Sequence, residues 1–404
     1  MNRSGKKNIL IVADVSIANV IGGAERVLYE QSVRLLQRGH GVHLMTRRLP
    51  SHADSDAFVE GVREWRYEVN PANPLSFLKS TWQNSKKLFR TLQNHNRFDT
   101  IIIHQPFSAA SVITSRHAKE INKIYICHSL SFEEYISRNK RPENLSGRLI
   151  YGMHVHIRKW MEKRALKHAT EIMVLSHFTR EKLKEVYRIP PGKISIIPGG
   201  VDLMRFKPTG NKEKIRQALK LPDSKVILFT VRNLVSRMGL ENLIKAMQMV
   251  VGSSTDVYLV VGGAGPLRDQ LTQMAEQLGV NDYIRFEGFI PEESLPDYYQ
   301  MADMFILPTK ELEGFGLVTL EAMASGVPVL GTPVGGTKEI LTQFDPTFLF
   351  KDTSPESMAS LILEKYHIIK NNYEEWRKIS KKCRQFVEEN YSWEKHVEVL
   401  EKFF

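Results

Sequence analysis

Two carboxylates, Glu313 and Glu321, lie eight residues apart in the stretch EGFGLVTLEAMASGVPVLGT. Gly314 and Gly316 between them allow a tight turn and close backbone approach. Leu317, Leu320 and Ala324 recur at the spacing of a short helix facing a sheet, Gly326 stops it, and VPVLGT reads as the next strand. MFILPT, just upstream, reads as a strand too, so the loop from Glu311 to Gly316 delivers a helix N-terminus at a strand's carboxyl end. Free backbone N–H groups and the positive end of the helix dipole suit a phosphate there. Glu321, one turn into the helix, repels phosphate but accepts paired hydrogen bonds from ribose hydroxyls. Glu313, on the loop, reaches another part of the same ligand. Alone, the two residues read sooner as ordinary loop polarity at Glu313 and a solvated helix position at Glu321.

Other residues offer weaker chemistry. The loop GGAGPL, Gly262 to Leu267, follows a strand but lacks the full G-x-G-x-x-G and the acidic strand end of a dinucleotide site. His104 ends the strand TIIIH and His128 follows the strand KIYIC. A lone histidine is more often a packed polar residue than a catalytic one. Cys127 and Cys383 are the only cysteines, too few for a disulfide framework or a zinc site.

The elements that must position these groups alternate strand and helix. KNILIVADV, GVHLMT, FDTIIIH and KIYICHS are strand-like, and GGAERVLYEQSVRLLQRGH is an amphipathic helix stopped by Gly39. Pro and Gly are dense in RIPPGKISIIPGGVDLMRFKPTG, residues 188 to 210, as expected for a crossing between domains. The alternation then restarts from KVILFTV onward. Continuous apolar strands alternating with helices imply parallel sheets covered on both faces. The expected domains are 1–198, 199–380, and a terminal helix, 381–404, packing back on the first domain. Ligands of such sheets sit outside the strand carboxyl ends, so a cleft between two such domains is the expected site.

Bulk composition agrees. The chain has 404 residues, 42% hydrophobic and 25% charged, with no apolar run long enough to span a membrane. Asp14 interrupts the N-terminal apolar run early, so it reads as a first buried strand rather than a signal peptide. A cytoplasmic location is expected. The formal charge is +11, and residues 138 to 188 hold 13 Lys/Arg against 5 Asp/Glu. Within that window LIYGMHVHIRKWMEKRAL places Ile150, Met153, Ile157, Trp160 and Met161 beside basic residues. It reads as a core helix or as a helix lying on an anionic membrane.

The ordered set of motifs resembles the family-four, group 1 retaining glycosyltransferases of the GT-B fold. GGAERV, VLSHFTREKL, IIPGGVDLMRFKP, LVSRMGLENLIKAM, VVGGAGPLRDQL, IRFEGFIP, MADMFILPT, the E-x7-E stretch, GVPVLGTPVGGTKEIL and YSWE follow the family's order over nearly the whole chain. The resemblance implies an α/β protein with two doubly wound Rossmann-like domains facing a central cleft. It implies that Gly22 and Gly23 start a helix opposite the donor phosphates, and that Arg232 and Arg237 neutralise the nucleotide diphosphate. Val231 replaces the usual glycine before the first arginine and Met238 the usual lysine, which leaves Arg237 as the stand-in. Arginine's fork suits phosphate, so the exchange is chemically sound.

By the same resemblance Gly263 borders the nucleotide and Phe289 and Ile290 line the base. Phe315, Gly316, Leu317 and Val318 belong to the donor site, with the backbone near Leu317 and Val318 at the diphosphate; Glu321 meets the ribose, His128 lies near the donor sugar, and Glu313 is a catalytic candidate. Asp54-Ser55-Asp56 matches the metal-binding triplet of the other glycosyltransferase fold, but it lies in a polar loop without supporting context. The expectation is therefore transfer of a sugar from a UDP- or GDP-sugar to a hydroxyl of a glycan or lipid-linked acceptor, with retention. No metal, cofactor or nucleic acid is expected. The leaving phosphate would help deprotonate the acceptor at the attacked face. Surface polysaccharide or glycolipid synthesis is the expected setting. The rival readings are an epimerase of the same fold, which needs no acceptor, and a non-catalytic nucleotide-sugar-binding protein.

Overall fold

The computed structural model describes residues 5–18, 22–50, 52, 54–139 and 141–404. The chain divides into two compact units, Met1–Pro198 with Trp393–Phe404, and Gly199–Ser392.

The first unit holds eight strands: β1 (Asn8–Val12), β2 (Gly41–Arg47), β3 (Asp56–Val59), β4 (Val62–Tyr67), β5 (Thr100–Ile103), β6 (Asn122–Cys127), β7 (Glu171–Val174) and β8 (Ile194–Ile196). Their order across the sheet is β3-β4-β2-β1-β5-β6-β7-β8. Ile9 to Val12 of β1 pair in parallel with β2 on one side and β5 on the other. Both faces of β1 are buried, which is why its sequence is a continuous apolar run rather than an alternation. The sheet's order reverses between β1 and β5, so their carboxyl ends form the switch point where ligands bind.

One edge departs from the sequence reading. Residues 54–56 were expected in a polar loop, but Asp56 opens β3, the antiparallel edge strand, and lies opposite Trp65. Glu60 (φ 49°) and Gly61 (φ 78°) make the two-residue left-handed turn of a tight hairpin. The Asp56 carboxylate is held 3.0 Å from the Arg63 guanidinium, so the acidic triplet is engaged in a strand pair.

The second unit has five parallel strands: β9 (Val226–Val231), β10 (Val257–Gly262), β11 (Ile284–Gly288), β12 (Met304–Leu307) and β13 (Val329–Gly331). Their order is β11-β10-β9-β12-β13, with the reversal between β9 and β12.

The boundary expected at 381 falls inside one continuous helix, Tyr373–Asn390. Trp376, Cys383 and Val387 bury its inner face, and Arg384 donates to the carbonyls of Phe206 (2.6 Å) and Ala324 (2.9 Å) in the second unit. The segment that joins the first unit begins at Trp393. Its helix Trp393–Leu400 places Val397 and Leu400 in the core with Leu28 and Leu35. His396 fixes the docking: Gln31 Nε2 lies 2.8 Å from its Nε2, and its Nδ1 lies 2.7 Å from the Pro198 carbonyl. The carbonyl can only accept, so Nδ1 carries the proton and Nε2 accepts from Gln31.

Candidate functional site

In the second unit the site is built where β9 and β12 end. Arg232 directly follows β9, is buried, and pairs with the buried Glu313 carboxylate. Thr309, just past β12, lies 3.1 Å from the same guanidinium nitrogen and donates to the same carboxylate oxygen, Glu313 Oε2, at 3.0 Å. Glu313 Oε1 has no protein hydrogen-bond partner among the described residues, and Arg232 Nε is buried without one. Met238, at the position where a lysine was expected, packs its sulfur 2.9 Å from the Arg232 guanidinium.

Arg237 donates to the Leu312 carbonyl at 3.0 Å, while its own carbonyl accepts from Lys310 N at 2.8 Å. It therefore braces the loop that carries Glu313. Gly335 holds the same loop from behind: a Cβ there would lie 1.9 Å from the Glu313 carbonyl, at φ 56°. Gly336 N also donates to that carbonyl, at 3.0 Å.

The helix Leu317–Ala324 starts at Gly316, whose φ of 92° turns the chain into it. Phe315 and Leu317 are buried, whereas Val318 is half-buried. Glu321 is not a solvated helix residue. It is 8% exposed, and the fully buried Tyr299 hydroxyl donates to its Oε2 at 2.8 Å. Burial, with the neighbouring Glu321 carboxylate, holds the Tyr299 phenol well above its usual range, so it stays a donor.

Gly263 packs its α-carbon against the Arg232 backbone. Ile290 is buried beside Gly262, whereas Phe289 is 63% exposed, an aromatic ring facing solvent. The structure thus gathers Arg232, Arg237, Glu313 and Gly263 at one switch point, with Phe315 to Glu321 on the same loop and helix.

In the first unit histidines follow β5, a switch-point strand, and its neighbour β6. His104 follows β5 and His128 follows β6; His104 Nδ1 lies 3.0 Å from His128 Nε2, with the rings stacked at 5.2 Å. Burial pushes His128 down to about 4 and His104 well below its usual range, so both are neutral at pH 7. A neutral pair shares one proton across this contact, and the outer nitrogens, His104 Nε2 and His128 Nδ1, have no partner among the described residues.

These histidines line a cavity of about 490 Å³ with Asp14, Arg47, Glu134, Arg158 and Glu162. Ala24, next to Gly22 and Gly23, touches the same cavity at the start of the helix Gly23–Gln37. Gly22 has extended backbone (φ −146°), so its conformation does not itself demand glycine.

Sequence reasoning missed Asp14, Arg47, Arg158 and Glu162. Asp14 and Arg47 lie at the carboxyl ends of β1 and β2, so applying the strand-end rule to every strand would have found them. Arg158 and Glu162 lie four apart on the helix Leu145–His168 and carry no local signal.

Glu162 is fully buried and accepts from Tyr187 (2.6 Å) and from Ser131 N (3.1 Å). Burial pushes its pKa up to about 7. The proton is bound more tightly in the folded state, so stability is fully present below the unfolded pKa and is lost as pH rises through 7. A shift of this size is worth on the order of 3 kcal/mol. Urea unfolding of wild type and Glu162→Gln at about pH 5 and pH 8 should show the wild type losing stability relative to the variant at the higher pH. Parallel pH dependences would contradict this.

Of the sequence's two readings of the basic helix, neither describes the whole of it. Met161, Ala165 and Leu166 are buried and Ile157 is half-buried. Leu145, Leu149, Ile150, Met153 and Trp160 are exposed, at 40–76% of their surface. The apolar set therefore divides between an inner and an outer face. No helix among the described residues is long and apolar enough to cross a membrane.

Comparison with known proteins agrees with this geometry. The family model Glycosyltransferase Family 4 matches residues 21–205, and Glycosyl transferases group 1 matches residues 211–392. The GDP-mannose-dependent alpha-(1-6)-phosphatidylinositol monomannoside mannosyltransferase of Mycolicibacterium smegmatis is 34% identical over 178 residues, 42% of this chain and 46% of that protein. This chain spans about half the length of the first curated relatives it matches. Sucrose-phosphate synthase from Thermosynechococcus elongatus superposes with a TM-score of 0.82 at 21% identity over 98% of both chains. The Anabaena protein HepE, solved with UDP-glucose, gives 0.75 at 15% identity over 98% of both. Those likenesses establish the GT-B fold. With the two family models in tandem from residue 21 to 392, the chain belongs to the family-four, group 1 glycosyltransferases.

Proposed function

We propose that this protein transfers a sugar from a nucleotide-sugar donor to a hydroxyl acceptor with retention of anomeric configuration. The observation that carries the reading is the Arg232–Glu313 pair at the second unit's switch point, braced by Arg237, with Glu321 buried in the adjoining helix. Arg232 and Arg237 take up the charge that develops on the departing diphosphate, assisted by the backbone N–H groups at Leu317 and Val318. Glu321 accepts from the ribose, and the unpartnered Oε1 of Glu313 accepts from a sugar hydroxyl. His128, neutral and with one ring nitrogen unpartnered, offers a hydrogen bond to the reacting sugar. The two arginines supply the positive charge that a metal supplies elsewhere, so we propose that transfer persists in EDTA.

The mycobacterial relative acts on a phosphatidylinositol mannoside with GDP-mannose, and HepE was solved with UDP-glucose. A UDP- or GDP-sugar donor and a glycan or lipid-linked acceptor follow as proposals for this chain. Melting with UDP, GDP, ADP and CMP in EDTA tests the donor site. A nucleotide at about a hundred times its dissociation constant adds about 2.7 kcal/mol of stability. One nucleoside diphosphate should shift the melt. No shift with any of them would remove the reading. NMR of the product should show the donor's anomeric configuration, and an inverted product would exclude retention. Product formed only with acceptor present separates a transferase from an epimerase.

The exposed Leu145, Leu149, Ile150, Met153 and Trp160, with Arg148, Lys159 and Lys163 on the same helix, favour a peripheral membrane role. We expect flotation with vesicles containing anionic lipid, about tenfold weaker with neutral vesicles and in Leu149→Ser. Equal binding to both vesicle types would remove the electrostatic part.

A further inference from the structure

The histidine-lined cavity of the first unit has an apolar neighbour. This second cavity, about 460 Å³, is lined by Pro71, Pro74, Phe77, Leu78 and Ile157. Asp14, Arg47, Phe107 and Arg158 line both cavities, so the two meet along one seam. One half is polar and the other apolar.

The seam carries two arginines, Arg47 and Arg158, that make no ion pair among the described residues. Arg158 lies over the Tyr135 ring at 4.1 Å and the Phe107 ring at 5.2 Å, and among the described residues its side chain hydrogen-bonds only to His154. Burial lowers its pKa. The Arg47 side chain makes no hydrogen bond or ion pair among the described residues, and its Nε is buried without a partner. Asp14 makes no ion pair with either guanidinium among the described residues. It accepts from Ser108 N at 3.1 Å, and burial raises its pKa despite the Arg47 charge.

Two inward-facing arginines elsewhere in the protein each have an acidic partner. Arg66 has Glu64 at 2.7 Å, and Arg216 has Asp303 at 2.6 Å. An unpaired, partly desolvated guanidinium is costly. Two of them at the mouth of an apolar cavity leave room for a ligand to bring the missing charge.

We propose that the joined cavities bind an amphipathic, phosphate-bearing acceptor. Its phosphate lies between Arg47 and Arg158, its hydrocarbon chain fills the Phe77–Leu78–Ile157 cavity, and its hydroxyl-bearing head lies beside His104 and His128. Arginine matches phosphate in paired hydrogen bonds, and each buried CH₂ of the chain adds about 0.8 kcal/mol. The helix Leu145–His168 supplies Ile157 and Arg158 to the seam and turns Leu149 and Met153 outward, as suits a ligand drawn from a bilayer. This assignment rests on the glycosyl-transfer reading for the word acceptor, but not for the binding itself.

The test is calorimetry on the full chain with three probes: geranyl phosphate, geraniol and inorganic phosphate, each with and without saturating nucleoside diphosphate. Geranyl phosphate should bind about tenfold or more tightly than either fragment, unaffected by nucleotide. Arg158→Gln and Arg47→Gln should each weaken it about tenfold, with Arg158→Lys milder. Phe77→Ser, at a half-buried position outside the core clusters, should weaken geranyl phosphate and leave inorganic phosphate unchanged. Inorganic phosphate binding as well as geranyl phosphate would make this a free-phosphate site and overturn the amphipathic acceptor. Geraniol binding as well would remove the anionic contact. Competition by nucleotide would place the probe at the donor site, and absence of binding would also overturn the proposal. Nucleotide binding without geranyl phosphate binding refutes only the acceptor assignment, whereas the converse refutes the donor reading.

Discussion

Arg232→Ala is expected to lower transfer about a thousandfold and to cost roughly 3–5 kcal/mol of stability. Two effects combine. The first is chemical: Arg232 directly follows β9 at the switch point and is 9% exposed, so little water screens it from a bound diphosphate. The second is structural: removing it leaves the buried Glu313 carboxylate with Thr309 as its remaining hydrogen-bond partner among the described residues. Glu313→Gln separates the two. It keeps the shape and the Thr309 contact but strips Arg232 of its counter-ion. Arg232 is then a less compensated cation, so a nucleoside diphosphate should bind at least as tightly as to wild type, while transfer falls because the sugar loses Oε1. Urea unfolding, nucleotide titration and kcat/KM measured on both variants give the answer. If Arg232→Ala destabilised the fold yet bound nucleotide as tightly as wild type, the arginine would be a buried structural ion and not a phosphate ligand.

How much of this was legible in the sequence depends on whether a residue's role is local. The strand–helix alternation was, because parallel strands buried on both faces leave continuous apolar runs such as ILIV and ILFTV. Glu313 and Glu321 were legible as a pair at a strand-end turn. That Glu313 would be committed to Arg232 was not, since eighty-one residues and three strands separate them. The edge strand from Asp56 was missed because a short, polar, antiparallel edge has no apolar run to announce it, and its turn is Glu-Gly rather than Asn-Gly. The domain crossing was misplaced at 381 because Ser380 and Arg384, polar residues that look like surface, are tied to backbone carbonyls of the second unit. The unpaired state of Arg47 and Arg158 is a property of what surrounds them, and no spacing in the chain encodes it.

Gly263→Ala should be among the most damaging single-methyl changes in the chain, and the reason discriminates between two uses of a glycine-rich loop. In a dinucleotide fingerprint, glycines let a pyrophosphate approach the backbone. Here Gly263 adopts φ 112°, and a Cβ would lie 1.9 Å from the Arg232 carbonyl oxygen and 2.8 Å from its carbon. Both are backbone atoms, so no rotamer relieves the clash. Gly263 N also donates to the Gly288 carbonyl at 2.6 Å, which locks the ends of β9, β10 and β11 together. Alanine must break that lock or push Arg232 off its pairing with Glu313. Backbone strain of about 1–3 kcal/mol and overpacking of about 1–3 kcal/mol then act together. Gly252→Ala is the matched control: it lies in the helix Leu240–Ser253 with open space where its Cβ would go, and should add up to about 1 kcal/mol. Urea unfolding and nucleotide titration of the pair read the outcome. Loss of both stability and nucleotide affinity in Gly263→Ala fits a glycine that acts through Arg232. Loss of affinity with stability intact would instead mean that Gly263 faces the ligand directly.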